Sequence, residues 1–146
     1  MKKGLQSKDL RIGCQYQLCD GVLGGGIAKL NNKRDLDIAF DLLESKSIEP
    51  IILNCEILNK LGFERIVYDS EFTGFGEEYI MKVNNDIFMS FSDDFSLALF
   101  PNKETMDDYL GVLPTHKQTI YLHQLQNLYF ALTGEELELK NETNNF

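Results

Sequence analysis

At 146 residues, 43% hydrophobic and 11% aromatic, the chain is long enough to bury a core and too apolar for disorder to be its default state. Lys and Arg number 14 against 23 Asp and Glu, a net charge of −9; this argues against an unaided sequence-independent grip on nucleic acid, which needs a basic footprint. No apolar run approaches the roughly 20 residues of a membrane-spanning helix, and no apolar signal core follows the basic start Met1-Lys2-Lys3, so the expectation is a cytoplasmic protein.

In chain order, Cys14 to Cys19 alternates, with Tyr16 and Leu18 against Gln15 and Gln17. This predicts a strand with Cys14 on its apolar face. Asp20-Gly21 is a hairpin-turn signal, and residues 27–30 form the return strand. From Leu36 to Leu42 apolar residues fall at 36, 38, 40 and 42. That alternation predicts a strand, although Leu36, Ala39, Phe40 and Leu43 also fit one helical face; the strand reading is preferred. Residues 48–53 are extended, with Pro50 restricting part of them to an edge or bulge. Asn54 then caps a short helix whose apolar face is Ile57, Leu58 and Leu61, and Gly62-Phe63 fits a Schellman ending.

A meander follows over residues 79–83, 87–91 and 95–100, with turns at Asn84-Asn85-Asp86 and Asp93-Asp94. Residues 103–119 carry no clear pattern. Leu122, Leu125, Leu128, Tyr129 and Leu132 then mark one stripe of an amphipathic helix, stopped by Gly134 in a left-handed cap. Leu125 and Leu128 are the expected core residues of that helix. From residue 139 the tail is polar and expected to fray. The fold class is α+β in one domain over residues 1–146: an N-terminal hairpin or barrel-like set, a short middle helix, a central antiparallel meander, and a C-terminal amphipathic helix packed on sheet.

Candidate chemistry is sparse. Cys14, Cys19 and Cys55 are expected as reduced thiols; the Cys14-x4-Cys19 spacing lacks a second pair to complete a zinc site, so no metal or cofactor is expected. In Gly21-Val22-Leu23-Gly24-Gly25-Gly26 the two outer glycines have phosphate-loop spacing, but Ile27-Ala28 stands where Lys-Ser/Thr is required. The glycines still let backbone amides approach a small anionic ligand. His123 reads as a packed or capping side chain, and His116 belongs to no recognisable triad. Asp93-Asp94 and Asp107-Asp108 read as turn and surface carboxylates. The aromatics Tyr68, Phe72, Phe75 and Tyr79 surround Gly74 and Gly76, a composition suited to a binding lip.

Three segments together carry a resemblance: Leu10-Arg11-Ile12-Gly13; Ile48-Glu49-Pro50-Ile51-Ile52-Leu53 with its helix ending Leu61-Gly62-Phe63-Glu64; and the closing run from Tyr121 through Leu-His-Gln-Leu-Gln-Asn-Leu-Tyr-Phe-Ala-Leu-Thr-Gly-Glu-Glu to Leu137. The chain resembles a family of small, uncharacterised proteins encoded by phages and prophages of Bacteroides-type gut bacteria. Cys14, where Asn is expected after Gly13, and Gly24-Gly25-Gly26 depart from that pattern. The resemblance implies no catalytic residues.

The leading functional expectation is a non-enzymatic accessory binding protein of a phage or prophage, acting in the host cytoplasm on a host or defence protein. Two alternatives are a protein that sequesters a small anionic ligand such as a nucleotide signal, and a minor virion or assembly component that forms homo-oligomers. The residues assigned to ligand or partner binding are Gly24, Gly25, Gly26, Phe72 and Phe75.

Overall fold

The computed structural model describes residues 5–19, 25–70, 74–84, 87–92, 97–100, 111–112, 121–139 and 143–144; residues 68–70, 74–76, 98, 100, 111–112 and 143–144 are placed by their backbones. In chain order the elements are β1 (Gln15–Leu18), β2 (Gly26–Lys29), α1 (Lys33–Glu44), β3 (Ile48–Glu49), α2 (Cys55–Lys60) and β4 (Glu64–Ser70). They continue with β5 (Gly74–Lys82), β6 (Phe88–Ser92), β7 (Leu97–Phe100), β8 (Gly111–Val112), α3 (Leu122–Thr133) and β9 (Thr143–Asn144). Contacts divide the chain into two units: Met1–Leu53 with Tyr121–Phe146, and Asn54–Ile120. The class is α+β, with sheet in both units and a C-terminal helix packed on sheet.

The first unit holds a sheet of order β3-β1-β2-β9. β1 and β2 form the expected hairpin, with Tyr16 opposite Ala28, and β3 lies antiparallel on the other side of β1. Period-2 alternation puts Cys14, Tyr16 and Leu18 into the core, as the sequence predicts. Leu10, Ala28, Leu30, Ala39 and Ile48 join them there, with Leu5, Leu36, Leu42 and Leu43 packed against the cluster.

The strand expected over residues 36–42 is instead helix α1. Two side chains decide this. Asn32 Oδ1 accepts the Asp35 amide at 3.0 Å, which satisfies one of the orphan donors of the first turn, and Asp35 Oδ2 accepts the amide of Asn31 at 2.9 Å, which fixes the chain just ahead of the cap. Ala39 then faces the core, whereas Phe40, which a strand would bury beside Leu36, is exposed. The helix closes with Ser47 N–H on Leu42 O and Lys46 N–H on Leu43 O, a Schellman motif. Its left-handed position is held by Lys46, at φ 58°.

The tail is also corrected. Leu139 is buried, and Thr143–Asn144 pairs in parallel with Ile27 and Ala28 of β2. The unsatisfied edge of β2 gives a polar segment a ladder to join, and Leu137 and Leu139 give it apolar area to bury.

Helix α3 packs on β1 and starts where Leu122 N–H meets Ile51 O at 2.7 Å. Gly134, at φ 74°, ends it with its amide on Phe130 O. Leu122 and Leu125 are buried, but Leu128 is only half-buried: the core side of the helix runs through Leu122, His123, Leu125 and Gln126 rather than along the leucine stripe.

In the second unit β4, β5, β6, β7 and β8 are neighbours in chain order, each described pair antiparallel. Asn54 caps α2 through its side chain on the Ile57 amide, and Gly62-Phe63 makes the expected Schellman ending, with Phe63 N–H on Leu58 O. Phe63 meets the buried Phe91 edge to face at 5.6 Å. Strand β4 is not foreshadowed in the sequence reading. It pairs Ser70 with Gly74 and Asp69 with Phe75, so residues 74–76, read from sequence as part of a binding lip, are strand. Arg65 is joined across the pair to Glu77 at 2.6 Å.

Candidate functional site

A hydrogen-bonded polar constellation in the first unit joins residues 9–16 to residues 123–139. Gly13 sits at φ 99°, its amide on Leu30 O, and the Glu136 carboxylate occupies the space that a Cβ would need. Glycine at this position therefore admits the carboxylate to the turn and lets Arg11 meet it face on. Arg11 Nη1 and Nη2 donate to the two Glu136 oxygens at 2.9 Å each, a bidentate pair. Its Nε donates to Asn127 Oδ1 and Nη1 to Ile12 O, and the guanidinium carbon lies 4.9 Å from the centroid of the Phe130 ring. The Glu136 bonds, foremost, raise the Arg11 pKa further, so the cation is permanent.

This clamp carries two exposed apolar side chains. Ile12 and Phe130 are each 41% exposed, and Arg11 touches both residues. The exposed Glu135 and Glu136 flank them.

Beneath the surface a few polar side chains are buried within the apolar core, and their hydrogen-bonding groups are nearly all paired. Tyr16 donates to Asp9 O and accepts from the Arg11 amide at 3.1 Å, pinning the turn that carries Arg11. Gln126 Oε1 accepts the Gln15 amide at 3.0 Å, and Gln126 Nε2 donates to Gln15 Oε1 and to Leu137 O. Gln15 in turn holds both backbone groups of Leu139. His123 stacks on Tyr16 at 5.6 Å and on Tyr121 at 5.7 Å. Its Nδ1 is buried with no hydrogen-bond partner among the described residues.

Burial pushes the Cys14 thiol up, against the lowering charge of Arg11, and pushes His123 down. Cys14 Sγ contacts the His123 carbonyl and Asn127 Oδ1. Thiol and imidazole are both held neutral, the reverse of an activated thiolate–imidazolium pair. What the arrangement can do is hold a surface rigid. Among the described residues no group of three or more His, Cys, Asp or Glu converges on a metal position.

The five residues assigned from sequence divide between the units. Gly25 is buried at φ 72°; Gly26 is exposed at φ 80° and opens β2, its carbonyl accepting from Gln17 Nε2. Phe75 belongs to β5 in the second unit. Gly24 and Phe72 lie outside the described residues, as do His116, Asp93-Asp94 and Asp107-Asp108. Sequence reasoning missed Arg11, Asn127, Phe130 and Glu136 as one site. The available signal was the pair of segments carrying the resemblance, residues 10–13 and 121–137, which the fold brings together. Comparisons with protein families, with characterised proteins and with solved structures gave no match.

Proposed function

We propose that the protein is a non-enzymatic binding protein that engages a protein partner through Ile12, Arg11 and Phe130. The observation that carries this reading is the preordered clamp: Arg11 held by Glu136, Asn127 and the Ile12 carbonyl beneath a half-exposed Phe130 ring. Scattered exposed apolar residues mean little. An arginine and an aromatic already fixed in one geometry lose little entropy on binding, and both types are enriched at the energetic centres of interfaces. The net charge of −9 and the flanking Glu135 and Glu136 favour a partner with an apolar contact and a basic rim. The resemblance supplies the biological setting: an accessory protein of a phage or prophage, acting in the host cytoplasm on a host or defence protein.

The test is quantitative affinity capture from a Bacteroides-type lysate with the parent chain, Phe130→Asp and Ile12→Asp. Both positions are exposed, so the melting temperature should hold. Proteins retained by the parent and lost from both variants support the reading; identical retention by all three overturns it.

A further inference from the structure

Residues 136–139 lie along the first unit as an extended arm, and their neighbours read them the way a sheet edge reads a strand. Glu136 and Glu138 point outward to Arg11 and to Lys29, the latter at 2.7 Å. Leu137 and Leu139 point inward and are buried. The backbone between them is held by side-chain amides in place of a ladder. Gln126 Nε2 donates to Leu137 O at 2.8 Å, Gln15 Oε1 accepts the Leu139 amide at 2.7 Å, and Gln15 Nε2 donates to Leu139 O at 3.1 Å. The groove thus recognises one sequence pattern: two acidic residues alternating with two leucines.

The connection from α3 into this groove is only Gly134 and Glu135. Gly134 is left-handed, and a side chain there would meet nothing within 4 Å, so the hinge is short and open. Three of the groove residues are distant from the arm in sequence, 109 positions from Lys29 to Glu138 and 124 or more from Gln15 and Arg11, while Gln126 lies 11 residues from Leu137 on the helix that precedes the arm. None of these contacts requires arm and groove to belong to the same chain. We propose that the groove is an exchange site for a second copy of this chain, two copies trading residues 136–139 reciprocally about a two-fold axis. Gly134 absorbs the change of direction, and every charge, leucine and amide contact is re-formed in the partner. The strand β9, downstream of the arm, crosses with it onto β2.

Charge reversal tests the exchange with full chains. A groove variant carries Arg11→Glu and Lys29→Glu; an arm variant carries Glu136→Arg and Glu138→Lys. Each alone sets like charges against each other in both pairs. In an equimolar mixture, only reciprocal exchange restores all four opposite-charge contacts. Native mass spectrometry should show a one-to-one heterodimer, with a melting temperature above that of either variant; a mixture equal to the sum of its components overturns the proposal. Independently of how the variants fold, concentrated parent mixed with isotopically heavy parent should yield mixed-mass dimers. Their absence also overturns it.

Discussion

The two units solve the same packing problem by different means. In the second, strands adjacent in the sheet are adjacent in the chain, and the described interior is largely apolar, with Leu58, Phe63, Met89, Phe91 and Leu97 buried. In the first, β1 lies between β3 and β2, a parallel strand from the far end of the chain joins the edge, and Gln15, Gln126 and His123 are buried among the leucines. Consecutive hairpins need only alternating hydrophobicity and turns to find their partners. A unit closed by a distant segment must also specify which segment closes it. Directional contacts do this: an amide pair that accepts only backbone in one register, and two cations that accept only acidic residues.

The largest expected effect sharpens the apolar side of that contrast. Phe91→Ala should cost about 3–5 kcal/mol in urea unfolding by opening a cavity beside Phe63. In the first unit Leu125→Ala should cost about 2–5 kcal/mol, and the half-buried Leu128 less when truncated in the same way. If Leu128 proves the costlier of the two, the assignment of the helix face is wrong. The polar side is probed by Gln126→Leu, which removes the side-chain bonds from Gln126 to the Gln15 amide and to the Leu137 carbonyl. At about 1–3 kcal/mol for each bond lost from a buried group, it should rival the loss of a core leucine despite similar volume and greater hydrophobicity. A neutral result would place the specificity of closure elsewhere.

A smaller effect concerns pH. Burial lowers the His123 pKa below its ordinary 6.5, the Asp9 charge opposing only in part. The unfolded chain therefore takes up a proton before the folded one does. Stability from this group is complete above about pH 6.5 and declines as pH falls from there through the folded value. His123→Phe, which keeps an aromatic ring between Tyr16 and Tyr121, should lose less melting temperature than the parent between pH 7.5 and 5.5. The smallest effect is a gain: Lys46→Gly should relieve the left-handed strain at the end of α1 and add about 0.5–1 kcal/mol.

Local signals were legible and distant ones were not. Asn54, Gly62 and Gly134 marked helix ends because caps are chosen by backbone geometry within a few residues. The Cys14–Leu18 face and the meander followed from period-2 alternation. Residues 36–42 satisfied both periods, and the cap that decided between them, Asn32 with Asp35, lies just upstream of that window. The site escaped for a different reason. Gln15 and Gln126 look like solvent-facing residues until a partner more than a hundred positions away satisfies them, and no periodicity encodes that pairing. Arg11 and Glu136 are likewise ordinary charges until Gly13 opens the space between them.

Both the binding surface and the exchange groove depend on the arm being locked by Gln15 and Gln126, and amide hydrogen exchange on the parent chain tests this most directly. The Leu139 amide, bonded to Gln15 Oε1, and the Gln15 amide, bonded to Gln126 Oε1, should be protected as strongly as the amides of the β1–β2 ladder. Gln126→Ala should release both while the second unit's ladder stays protected. A Leu139 amide that exchanges at the rate of an open chain in the parent, beside a protected β1–β2 ladder, would contradict the account.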